Sequence, residues 1–245
     1  MSRLTNKIAL VTGGSRGIGA ESARQLAAQG ASVAITYNAS ADQANAVVAD
    51  INGNGGRAKA FQANAGASGA ADKLIRDVLA EFGGLDILVN NAGVFIGDAL
   101  GEDGAYASNF DVNVRGVYET TRAAAPHLRE GGRIINIGSF LGKKSLPGFG
   151  AYNATKAAVD SLSRTWAHEL ASRKITVNTV APGSIDTEMN PDSDQNPGAE
   201  FQKSLNPQGR YGQPADIAAV VAFLAGPDTS FITGANIAVD GGVSA

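Results

Sequence analysis

The stretch Thr12-Gly13-Gly14-Ser15-Arg16-Gly17-Ile18-Gly19 decides the fold of this chain. It follows a short, β-branched apolar run at residues 7–12 (KIALVT). It opens a segment, residues 18–29, whose Ile18, Ser22 and Leu26 fall along one side of a helix. Glycines let the backbone turn tightly and approach a ligand closely. A helix beginning near Gly17 aims its free N–H groups at an anion, so a pyrophosphate fits there. A tight strand-to-helix turn with no ligand is the plainer reading. The placement after the first strand and ahead of a helix is the context that the phosphate-binding reading requires.

The same strand–helix rhythm continues outward from this turn. Strands are expected at residues 32–37, 57–62, 85–90, 133–138, 174–180 and 236–240. Further helices are expected at 41–52, 68–81, 105–128, 151–171 and 214–225, that at 105–128 being ended by Gly131-Gly132. The run LDILVN at 85–90 is apolar on both sides of its alternation, which suits a parallel sheet covered on both faces. Alternation from end to end predicts an α/β fold: one doubly wound domain over residues 1–245, with a parallel sheet of about seven strands and helices on both faces. No linker or internal repeat divides it. Residues 184–210, rich in Pro, Asn, Asp and Gly, break the rhythm and read as a lid.

Composition narrows the function. The 245 residues are 44% apolar and 18% charged, with a net charge of −3 and no basic run, which argues against nucleic acid as a partner. There is no cysteine, so disulfides, thiol nucleophiles and cysteine-bound metals are excluded. The two histidines, His127 and His168, read as structural, and no metal site is expected. No apolar run approaches the roughly 20 residues of a membrane span. The first residues reach a glycine pair too early for a secretory signal. A cytoplasmic protein is the expectation.

The segment Tyr152-Asn153-Ala154-Thr155-Lys156 raises a chemical question. Residues four apart share a helix face, so Lys156 stands one turn from Tyr152. A free phenol, with a pKa of about 10, is a poor acid–base catalyst near neutrality, and an adjacent ammonium favours its phenolate. The same spacing also suits an ordinary amphipathic surface pair. Ser139 closes the fifth strand, at the sheet edge where open α/β folds bind ligands.

Taken together, these motifs resemble the short-chain dehydrogenase/reductase family, most closely its 3-oxoacyl-acyl-carrier-protein reductase-like group. The glycine spacing is TGxxxGxG, Asn90-Asn91-Ala92-Gly93 matches the NNAG motif, and Pro182-Gly183 with Thr187 matches the nicotinamide loop. The resemblance spans the whole chain. It implies a Rossmann-type fold, a homotetramer, and a catalytic tetrad of Asn113, Ser139, Tyr152 and Lys156. In it Ser139 polarises a carbonyl and Tyr152 donates the proton. Lys156 tunes the tyrosine and holds ribose hydroxyls, and Asn113 holds a relay water. It also implies transfer of the 4-pro-S hydride of a nicotinamide dinucleotide. That cofactor would contact Gly13, Ser15, Arg16, Gly17, Ile18, Gly19, Tyr37, Asn38, Ser40, Asn64, Ala65, Asn91, Ala92, Gly93, Tyr152, Lys156, Pro182, Gly183, Ile185 and Thr187.

NADP(H) is the expected form. NAD sites place a carboxylate at the end of the second strand, and Tyr37 stands there instead, with Arg16 available for a 2′-phosphate. Phe140, Leu141, Phe149, Met189, Phe201 and Leu205 are expected to line an apolar pocket for a small carbonyl or acyl thioester substrate. Arg129 and Arg173-Lys174 are candidates for meeting an acidic carrier protein, or are solvated helix-end charges. Residues 92–112 depart from the family pattern and are expected to reshape one pocket wall. The leading reading is an NADPH-dependent carbonyl reductase. An NAD-dependent secondary-alcohol or sugar dehydrogenase and a non-enzymatic nucleotide-binding module stand as alternatives.

Overall fold

A computed structural model describes residues 3–97, 100 and 105–245. Seven parallel strands form one sheet in the order β3-β2-β1-β4-β5-β6-β7. They are β1 (Ile8–Val11), β2 (Ser32–Tyr37), β3 (Arg57–Gln62), β4 (Leu85–Asn90), β5 (Leu128–Ile137), β6 (Thr176–Pro182) and β7 (Asn236–Val239). The order reverses between β1 and β4, and a doubly wound sheet opens a crevice at that point, beyond the carboxyl ends of its strands. Among the described residues no helix is long and apolar enough to cross a membrane.

Period-two alternation divides the apolar side chains between two cores. Ala9 and Val11 of β1, Val33 and Ile35 of β2, and Ile87 and Val89 of β4 face one side. There they pack with α1 (Gly17–Ala28), α2 (Ala41–Gly53) and α8 (Pro214–Ala225). Ile8, Leu10, Ala34 and Ile134 face the other side, with side chains of α3 (Ala70–Phe82), α5 (Val117–Ala124) and α6 (Gly150–Glu169). The continuous burial of β1, β4 and β6 follows from helices covering both faces.

The expected helix over 105–128 is interrupted. It runs as α4 (Ala105–Phe110), a π-helical turn (Asp111–Gly116) and α5, then tightens into a 3₁₀ turn at Ala125–His127. Pro126 lacks the N–H that an α-helix needs, so the helix stops before Gly131-Gly132. β5 consequently begins at Leu128, earlier than expected. It pairs Leu128 with Leu85, then shifts register so that Arg133 pairs with Ile87. The segment 184–210 is not wholly irregular either, since it contains α7 (Ala199–Leu205).

Candidate active site

The turn after β1 is stapled to the turn after β4. Thr12 Oγ1 accepts from the backbone N–H groups of Asn91 and Ala92, both at 3.0 Å. Asn91 Nδ2 donates back to the carbonyls of Thr12 and Gly13, both at 2.9 Å. The Asn91 side chain therefore shapes the glycine turn from beneath. Gly13 sits at φ +64°, and a Cβ there would lie 2.9 Å from Ala92 Cα, so backbone conformation and close approach both require glycine.

Gly19 is needed for packing alone. A Cβ on it would come within 2.3 Å of the Gly13 carbonyl oxygen and 2.4 Å of Asn91 Nδ2. Gly19→Ala is therefore expected to lower stability by about 2–3 kcal/mol despite its better helix propensity. That corresponds to a fall in Tm of about 5–10 °C for a chain of this size, read in a thermal melt. An unchanged Tm would mean that the turn yields more easily than its contacts indicate.

Arg16, the N-cap of α1, supplies no side-chain acceptor to the helix. Ser15, Arg16, Gly17 and Ile18 line a cleft of about 940 Å³ that runs from this turn to Tyr152 and Lys156. An uncapped helix N-terminus behind a glycine turn that side chains would fill is a physical fit for a dinucleotide's pyrophosphate. The site residues named from the sequence all line this cleft except Gly19, Asn113 and Leu205. Leu205 lies one turn beyond Phe201 on α7, where the helix has already carried past the lining formed by Gly198, Phe201 and Gln202.

Asn113 lies in the π-turn and is buried. Its Oδ1 accepts from Val94 N at 2.8 Å, and its Nδ2 donates to Val94 O at 2.9 Å and to Thr155 Oγ1 at 3.3 Å. The amide thus clamps the loop after β4 onto α6. Ser139 follows β5, and its Oγ also accepts from Leu141 N at 3.2 Å. Its hydroxyl lies beside the Tyr152 phenol and favours the phenolate. Lys156 Nζ donates to the Ile137 carbonyl at 3.0 Å and stands 5.6 Å from the Tyr152 ring centroid.

The electrostatics differ from the expectation that Lys156 would depress the tyrosine. Tyr152 keeps part of its surface in the cleft, yet desolvation pushes its pKa up to about 12, and only the nearby Ser139 hydroxyl pulls it down. Burial likewise pushes Lys156 down to about 8. Low polarity around the pair disfavours both charged forms. The phenol therefore keeps its proton at any ordinary pH, which suits an acid better than a base.

An aromatic wall completes this end. Phe95 stacks on Phe149 with centroids 4.7 Å apart and planes 7° apart, and meets the Tyr152 ring edgewise at 4.7 Å. Phe95 escaped the sequence reading. It falls in the stretch expected to reshape the pocket wall, where no periodic pattern singles out one residue. Residues 98–99 and 101–104 of that stretch lie outside the described residues.

At the other end, Arg16 Nη1 donates to Glu188 Oε2 at 2.7 Å, a carboxylate of the 184–210 segment that the sequence reading also missed. The basic residues considered for an acidic carrier lie elsewhere. Arg129 pairs with Asp86 at 3.0 Å and Lys174 with Glu130 at 2.6 Å, while Arg173 Nη1 donates to Ala125 O at 2.6 Å. All three occupy the amino ends of the strands, opposite the cleft, where the register of parallel β4, β5 and β6 puts them.

Comparison with known proteins agrees with this geometry. A family model described as Enoyl-(Acyl carrier protein) reductase matches residues 13–244. A 3-oxoacyl-acyl-carrier-protein reductase of Synechocystis sp. is 44% identical, the alignment covering 99% of each chain. A probable tetrahydroxynaphthalene reductase of Zymoseptoria tritici is 42% identical, over 98% of this chain and 95% of the relative. The crystal structure of a short-chain dehydrogenase from Burkholderia cenocepacia in complex with NADP superimposes with a TM-score of 0.96 at 47% identity, covering 99% of this chain and 100% of that one. With its reversed-order parallel sheet, stapled glycine turn and Ser–Tyr–Lys cluster, the chain belongs to the short-chain dehydrogenase/reductase family of NAD(P)-dependent oxidoreductases.

Proposed function

We propose that this protein is an NADPH-dependent carbonyl reductase that converts a ketone to a secondary alcohol. The observation that carries this reading is the convergence of Ser139, Tyr152 and buried Lys156 in the same cleft as the glycine turn. NADPH, when bound, supplies the hydride. Gly13, Ser15, Gly17 and Ile18 would hold its pyrophosphate, Tyr37, Asn38, Ser40, Asn64 and Ala65 its adenosine half, and Pro182, Gly183, Ile185 and Thr187 its nicotinamide. The Arg16 guanidinium and the absence of a carboxylate at Tyr37 support the phosphorylated form, as does NADP in the Burkholderia relative.

Ser139 donates to the carbonyl oxygen of the substrate and orients it. Tyr152, still protonated, delivers its proton to that oxygen as negative charge develops there. Lys156, held by the Ile137 carbonyl beside the Tyr152 ring, would reach the ribose hydroxyls of the cofactor. Asn113 keeps the loop after β4 in place. Its amide is committed to Val94 and Thr155, so the proposed water relay to Lys156 would use the backbone of the π-turn.

The wall of Phe95 and Phe149 supports a flat, conjugated ketone as substrate, and Met189 and Phe201 of the 184–210 lid extend the apolar lining. A tetrahydroxynaphthalene reductase among the relatives accords with this. A homotetramer is part of the proposal, supported by Tyr106 and Tyr118 exposed along α4 and α5.

A substrate panel tests the reading. Purified protein is assayed for oxidation of NADPH and of NADH with an aryl ketone, an aliphatic ketone, an acetoacetyl thioester and an aldehyde. Turnover of a ketone with NADPH preferred is the expected result, the aryl ketone leading. Tight NADPH binding without turnover of any panel member would favour the binding-module alternative.

A further inference from the structure

β2 carries no acid at its end, yet a carboxylate reaches the same end of the cleft from the lid. Glu188 is gripped on both oxygens, by Arg16 Nη1 at 2.7 Å and by Gln43 Nε2 at 2.9 Å. Gln43 lies in the first turn of α2, and Arg16 precedes α1. Glu188, Arg16, Tyr37, Asn38 and Ser40 all line the cleft. The lid thus places an anion on the cation that would receive a 2′-phosphate, and an acceptor where a 2′-hydroxyl would otherwise need one.

We infer that Glu188 is a specificity-determining residue that sets the choice between NADPH and NADH by competing with the 2′-phosphate for Arg16. This rests on the dinucleotide reading above and deepens it. NADPH must displace the carboxylate from Arg16, and its doubly charged phosphate also repels it. NADH leaves the Arg16–Glu188–Gln43 fork in place and gains a ribose acceptor. Wild-type protein therefore uses both cofactors, with a narrower preference for NADPH than Arg16 alone would produce.

Glu188 and Arg16 are each about half exposed, with side-chain accessibilities of 54%, so Glu188→Gln removes the charge without disturbing a core. The test is titration of wild type and Glu188→Gln with NADPH and with NADH, followed by nicotinamide fluorescence at fixed low ionic strength. The expected result is a fall in the NADPH Kd of about five- to tenfold, from one removed unit of repulsion at the surface. The NADH Kd should stay level or rise. Equal shifts for both cofactors, or no shift for NADPH, would overturn the inference while leaving the cofactor assignment standing. A wild-type protein that binds neither dinucleotide would overturn the cofactor reading and this inference with it.

Discussion

Tyr152→Phe binds NADPH as wild type does and loses about 10²–10⁴-fold of its ketone turnover, the range a positioned general acid supplies. The substitution keeps the ring, so the edgewise contact with Phe95 and the packing of α6 survive. It removes one hydroxyl and its interaction with Ser139, a change of no more than about 1 kcal/mol. Tm should accordingly move by no more than about 4 °C. Loss in kcat with an unchanged NADPH Kd is the signature of a group that acts on the reacting oxygen. Turnover within about tenfold of wild type would assign the proton to another donor.

Lys156→Met carries the second large effect, and here activity and stability move in opposite directions. Lys156 is buried, and its pKa falls to about 8 from an ordinary value of 10.5. The unfolded chain thus holds the proton more tightly than the fold does between those two values. Folding stability contributed by this group rises as pH increases from about 8 towards 10.5, and the buried ammonium is a cost below that window. At pH 7 the methionine variant should be the more stable by about 1–2 kcal/mol, once the lost hydrogen bond to Ile137 is subtracted. That advantage should vanish in strongly alkaline solution. Turnover should fall by about 10²-fold or more, because the charge beside the phenol and the ribose contact go together. In wild type, ketone reduction should decline as pH rises through about 8, where the ammonium is lost, and the variant should lack that limb. Chemical denaturation across pH and a pH–rate profile read the two halves. A variant less stable than wild type at pH 7 would show that Lys156 is structurally required in its charged form.

Much of this was legible in the sequence because the constraints are local. The glycine turn needs a positive φ at Gly13 and no Cβ at Gly19, and both demands show as glycines at fixed spacing behind a β-branched strand. The two-faced burial of β1 and β4 shows as unbroken apolar runs. The chain places Tyr152, Lys156 and Ser139 together because helix periodicity and the strand edge dictate it.

What the sequence did not disclose depends on contacts between distant segments. The π-turn at Asp111–Gly116 has no local composition signal, and it is what brings Asn113 onto Val94 and Thr155. The helix end at Pro126 was readable, yet the later glycine pair at 131–132 suggested a later stop. Those glycines instead lie in the irregular part of β5, where Gly131 adopts a positive φ. Leu205 shared the apolar character of Phe201 but not its place on α7. Phe95 and Glu188 lie in irregular segments, and only the folded chain shows one against Tyr152 and the other on Arg16. The direction of the Tyr152 shift was missed for a related reason. Spacing shows that an ammonium is near, but not how dry the surroundings are.

The most direct test of the central claim follows the hydride itself. A ketone from the panel is turned over with NADPH carrying deuterium at the 4-pro-S position, and the alcohol is analysed by mass spectrometry. The account predicts one deuterium on the carbinol carbon with wild type, and the same labelled alcohol formed far more slowly by Tyr152→Phe. An alcohol free of deuterium, or one formed equally well without Tyr152, would contradict it.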